Sequence, residues 1–110
     1  MKESHRVQIK FIWIPYELGG HQTEPFINMK LEIRWQKYLK EHFELTRITQ
    51  CHELDFDKEK NQWTGLFFLY GKSLGSPPIP PNWLQEGEPI ELVSAYKVFA
   101  VGKIIKEILP

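Results

Sequence analysis

The adjacent pair Cys51-His52, with His5, His21 and His42 elsewhere, carries the side chains that could form a nucleophile–base set or ligate a metal. Thiol–imidazole chemistry needs both groups at one reacting atom. Neighbours on an extended segment point to opposite faces, so Cys51 and His52 cannot easily act together if this segment is a strand. Zinc takes three or four ligands, usually with paired local spacing, and these positions do not supply it. A buried small thiol and scattered surface imidazoles are expected, with an enzyme using Cys51 or His52 as the rival. Asp55, Asp57, Glu59 and Asn61 imitate the start of a calcium loop. Lys60 stands where that loop needs Gly, however, and Leu66 where it needs the bidentate Glu. A solvated hairpin turn is expected instead, with no catalytic residues, metal or cofactor.

Binding chemistry has more to work with. Lys30, Arg34, Lys37 and Lys40 form the densest basic cluster, interleaved with Trp35 and Tyr38, a combination that could grip a phosphate backbone and stack a base. Glu32, Glu41 and Glu44 dilute that charge, and Trp35 should face the core, so a solvated face competes with this reading. The prolines from Pro77 to Pro81 form overlapping P-x-x-P units next to Trp83. They read as a stiff bridge between strands or as a contact surface recognised by a protein.

The elements that must position these residues are mainly strands. Val7, Ile9, Phe11 and Trp13 alternate with Gln8, Lys10, Ile12 and Ile14, then run into Pro15 and the Gly19-Gly20 loop. Met29, Leu31, Ile33 and Trp35 alternate with Lys30, Glu32, Arg34 and Gln36, and Lys37–His42 reads as a possible helical turn. Phe43–Thr49 alternates poorly but is rich in β-branched and aromatic residues. Glu53–Phe56 and Trp63–Tyr70 flank the turn DKEKNQ as a hairpin, and the second run is apolar enough to be covered on both faces. Gly71–Pro81 is a loop, Ile90–Val93 a strand, and Val98–Ile108 a strand in which Gly102 marks a bulge or close approach. About six or seven short strands without a long helix make a small barrel or sandwich.

One hundred and ten residues suit a single domain, 1–110. Fourteen basic residues balance fourteen acidic ones, which argues against a chain that wraps nucleic acid and leaves room for a local basic patch. The lone Cys51 excludes an internal disulfide and fits a reducing compartment. The polar start MKESHR is followed by no apolar signal core, and runs such as Leu66–Tyr70 fall far short of the ~20 residues of a membrane span. A cytoplasmic protein with no membrane partner is expected.

The two ends of the chain together resemble the third domain, the C-terminal β-barrel, of elongation factor Tu-like translation factors. In that family the first strand enters a Gly-Gly-Arg loop followed by Thr-Pro and an aromatic. Here Gly19-Gly20-His21-Gln22-Thr23-Glu24-Pro25-Phe26 follows that order with one extra residue between Thr23 and Pro25. The family's last hairpin is echoed by Gly87, Ile90, Leu92, Lys97, Val98, Phe99, Gly102, Ile104 and Ile105. The resemblance spans Val7 to Trp35 and Gly87 to Leu109. It implies an all-β fold, a closed six-stranded Greek-key barrel with adjacent terminal strands, and a surface that helps hold the T-stem of aminoacyl-tRNA. No P-loop is present, so no GTP is expected. His21 replaces the first family arginine, Ala95 and Tyr96 replace the later glycines, and Lys97 replaces the later arginine, losing its planar fork. The expectation is a non-catalytic module that binds a translation-related protein or tRNA-like RNA through Gly19, Gly20, His21, Arg34, Trp83 and Lys97. The alternative is an interaction or inhibitor module unrelated to translation, with the Pro-rich loop and an exposed Trp83 as its contact surface.

Overall fold

The structure, a computed structural model, describes residues 4–20, 22–38, 46–70, 78–94 and 97–109. Six antiparallel strands close into a barrel: β1 (Ser4–Trp13), β2 (Lys30–Trp35), β3 (Arg47–Asp57), β4 (Gln62–Tyr70), β5 (Pro89–Ser94) and β6 (Lys97–Glu107). Around the cylinder the order is β1-β4-β3-β2-β5-β6, with β6 paired back onto β1. β2, β3 and β4 form a meander and β1 returns beside β4, which makes the expected Greek key.

Period-two alternation explains which residues go inside. Val7, Ile9 and Phe11 of β1, Leu31, Ile33 and Trp35 of β2, Phe67 and Leu69 of β4, and Ile90 and Leu92 of β5 are all buried. Each large aliphatic side chain so covered contributes roughly 1.5–3 kcal/mol. The alternation breaks where the barrel bends. Ile105 and Phe99 of β6 and His52 of β3 are extra residues opposite a shorter run on the partner strand, so each is a bulge. The bulge at Phe99 lets consecutive Phe99 and Ala100 both turn inward.

Several boundaries differ from the sequence reading. β1 begins at Ser4, before the alternation is clear. The weakly patterned stretch before Glu53 is part of one continuous β3 from Arg47, while residues 43–45 lie outside the described residues. A short 3-10 turn at Gln36–Tyr38 takes the place of the start of the expected helical turn, and residues 39–42 are not described. Within the Pro-rich stretch, residues 71–77 are not described; Pro81–Leu84 forms another 3-10 turn.

The connections cap the two ends. At one end, Ile79, Trp83 and Leu84 are buried beneath the barrel, and the Trp35 indole N–H donates to the Trp83 carbonyl at 2.7 Å. At the other, the segment between β1 and β2 folds across the opening, held by Trp13 Nε1 donating to the Thr23 carbonyl at 2.9 Å. Among the described residues, no helix is long and apolar enough to cross a membrane.

Gly102 sets the closing seam. A Cβ on it would sit 2.2 Å from the Lys10 carbonyl oxygen and 2.8 Å from Phe11 Cα, so the β1 backbone occupies the space of a side chain. Gly102→Ala should therefore force β1 and β6 apart and lower stability by roughly 1–3 kcal/mol or more. The urea midpoint of the variant against that of the parent measures this; an unchanged midpoint would show that the seam tolerates a side chain.

Candidate functional site

The sequence-derived site residues do not form one site. Gly19 and Gly20 follow the end of β1, and Lys97 begins the neighbouring β6, so these three share one end of the barrel. His21 lies outside the described residues. Arg34 and Trp83 lie towards the opposite end, where Trp35 pairs with Ile90. Gly19 adopts φ 94° and ends the 3-10 turn Tyr16–Leu18, and Gly20 is buried where a Cβ would fall 1.9 Å from the Ile14 carbonyl oxygen. Both glycines shape the loop. Lys97 is exposed at the β5–β6 turn.

Arg34 is paired, its Nη2 donating to Glu91 Oε1 at 2.8 Å across the β2–β5 pair. One expectation needs correction. Trp83 is not an exposed contact residue: it is 3% exposed, with its ring 5.4 Å from that of Trp35. Ile79 and Leu84 go down with it, so this part of the Pro-rich loop plugs the barrel.

Cys51 faces the core, while His52 stacks on Phe68 with centroids 3.9 Å apart, so the pair points to opposite sides as the strand reading requires. Burial pushes the Cys51 thiol up from 9.0 to about 11, against a smaller lowering effect of the Glu53 backbone. A thiol held neutral in this way is a poor nucleophile. Asp57 Oδ1 accepts from the amides of Glu59 and Lys60, which is turn chemistry. No cluster among the described residues could hold a metal ion.

A basic surface appears where the terminal strands meet. Arg6, Gln8, Lys10 and Ile12 occupy the outward phase of β1, and Val101 and Lys103 that of β6. The register sets Lys10 directly opposite Lys103, Gln8 opposite Lys106, and Ile12 opposite Val101. Like charges directly opposite each other are unfavourable in a sheet. Among the described residues no ion pair offsets Lys10, Lys103 or Lys106; the carboxylates near the face are engaged elsewhere, Glu91 by Arg34 and Glu107 by His5 at 2.8 Å. A shallow groove of about 470 Å³ runs along this face, with Lys10, Ile12, Val101 and Lys103 on its walls and Gln36 and Gln62 at its sides. Arg6, nearer the start of β1, lies over the Phe68 ring of β4, 5.9 Å from its centre.

The sequence held half of this signal. Lys10 is in the polar phase of a clear strand, but only the β1–β6 register shows that Lys103 stands beside it. No family model matches the chain, and no curated protein matches it. The closed six-stranded barrel does not by itself identify the elongation factor Tu domain, since one fold hosts many functions.

Two outcomes follow from these placements. Trp83→Ala should cost about 3–5 kcal/mol of stability, as expected for a buried aromatic, and a denaturant midpoint close to the parent's would contradict its burial. For Cys51, the folded protein holds the proton more tightly than the unfolded chain. Its contribution is complete below pH 9 and is lost as pH rises from about 9 towards 11, by up to about 2–3 kcal/mol. Cys51→Ala should flatten the alkaline decline of stability in that window; an identical decline in the variant would count against the raised value.

Proposed function

We propose that this chain is a non-catalytic binding module that holds the phosphate backbone of a tRNA-like RNA on the outer face of β1 and β6. The observation that carries the reading is the unoffset Lys10–Lys103 pair on the walls of the groove, with Lys106 further along β6 opposite Gln8. A fold that sets two lysines side by side without a carboxylate loses stability unless an anion joins them. The neutral total charge is no obstacle. Glu53, Asp55, Asp57 and Glu59, exposed on the β3–β4 hairpin together with Lys58 and Lys60, account for part of the balancing negative charge away from the β1–β6 face.

Kinship with the third domain of elongation factor Tu-like factors belongs to the same proposal. It is supported by the order of the quoted motifs, by the adjacency of β1 and β6, and by the hairpin that β5 and β6 form over the second motif. The contact residues differ from Arg34 of the basic cluster and Trp83 of the Pro-rich loop, moving to Lys10 and Lys103. A cytoplasmic place of action goes with an RNA of translation and with the free, reduced Cys51.

Binding of a tRNA-stem hairpin RNA should weaken with salt at a log–log slope of roughly −3, and Lys10→Gln with Lys103→Gln should reduce that slope by about 1.8. Lys10→Glu should abolish binding while stabilising the fold by roughly 0.2–1 kcal/mol, because it places opposite charges across the seam. Affinity that is flat from low to moderate salt would remove the RNA reading.

A further inference from the structure

We infer that the cleft between the end of β1 and the β3–β4 hairpin is a docking site for a positively charged side chain, an arginine or lysine presented by a partner protein. The cleft encloses about 340 Å³. Its aromatic walls are Trp13 and Tyr16 on one side and Phe56 and Trp63 on the other, and Glu17 and Glu24 are among the polar residues of the lining. No lysine or arginine among the described residues lines it. This inference does not rest on the RNA reading, since it concerns another surface and the opposite charge.

Three observations point to a cation carried on a polypeptide. First, the walls are rich in aromatic faces, whose negative quadrupole attracts ammonium and guanidinium groups. Tyr16 is 56% exposed and Phe56 38% exposed, whereas rings such as Phe11 and Phe67 are buried in the barrel. Second, the carboxylates of Glu17 and Glu24 are exposed and take part in no ion pair among the described residues. They would repel a phosphate and add nothing for a purely apolar ligand, whereas a guanidinium between aromatic faces gains from both. Third, Leu18 is 77% exposed and directly follows Glu17, extending the apolar surface beyond the cleft. A chain segment flanking the cationic residue would cover it, whereas a small ammonium ion would not.

The cleft is also formed before anything enters it. On the β1 side, Trp13 Nε1 is held by the Thr23 carbonyl, and the Pro15 carbonyl accepts the amides of Leu18 at 3.0 Å and Gly20 at 3.1 Å. On the hairpin side, the Phe56 and Trp63 rings lie 4.6 Å apart, and Asp57 caps the turn that joins their strands. Rigid walls keep the ordering cost of binding low.

The test is an NMR titration of the ¹⁵N-labelled full chain with acetyl-Gly-Arg-Gly-amide, run beside the same peptide carrying neutral citrulline. The inference predicts that the Trp13 and Trp63 indole N–H resonances move and saturate with the arginine peptide and stay still with the citrulline peptide. The double variant Glu17→Gln, Glu24→Gln should weaken binding by roughly fivefold, and Tyr16→Ala should weaken it further. These side chains are exposed, and unchanged dispersion of the core resonances would verify that both variants fold. Indole resonances that do not move, that respond equally to citrulline, or that keep full affinity in the double variant would each overturn the inference.

Discussion

Closing a six-stranded sheet requires its first and last strands to meet, and here β1 and β6 do so along nearly their whole length. The seam is pinned at both ends: the Ile14 amide donates to the Phe99 carbonyl and the Ile108 amide to the Arg6 carbonyl, each at 2.8 Å. Bringing together segments so far apart in sequence costs chain entropy that local contacts do not offset. Two local features make it possible. Gly102 lets the backbones approach where Phe11 turns inward, and the extra Ile105 and Phe99 bend β6 around the cylinder. His5 and Glu107 then tie the outer end of the seam.

Because the seam joins the chain's two ends, it also decides which charges become neighbours. Lys10 and Lys103 are unremarkable residues on separate strands until closure sets them opposite each other. The two ends of the barrel are finished differently. One is sealed by Trp35, Trp83, Ile79 and Leu84 packed from two connections. The other is crossed by the β1–β2 segment, which fills the opening but leaves Tyr16, Leu18, Phe26 and Ile27 in contact with water. Basic face and aromatic, acidic end are thus distinct surfaces of one small molecule, suited to ligands of opposite charge.

Much of the fold was legible in the sequence because alternation is a local property. Val7–Trp13, Met29–Trp35 and the hairpin around DKEKNQ could be read from side-chain phase alone, and Gly102 within an apolar run marked a close approach. The stretch before Glu53 hid its strand character because polar Arg47 and Thr49 turn inward while apolar Ile48 faces water. The candidate contact residues were harder, for a physical reason. Arg34 stands in a basic run, but its partner Glu91 is distant in sequence and meets it only across β2 and β5. Trp83 follows prolines that suggest an outer loop, yet its ring is long enough to reach the core and cover Trp35. Register across strands, which no local pattern contains, creates the lysine pair and the four-aromatic cleft.

The most direct test of this account is native-state hydrogen exchange along the β1–β6 seam. If closure of the barrel is the cooperative constraint on which the rest depends, amides bonded between β1 and β6 should exchange only through global unfolding. Their protection would then equal that of the β3–β4 ladder. Seam amides that exchange by local opening, well below the protection of β3 and β4, would contradict it by showing a sheet that holds together without its first and last strands joined.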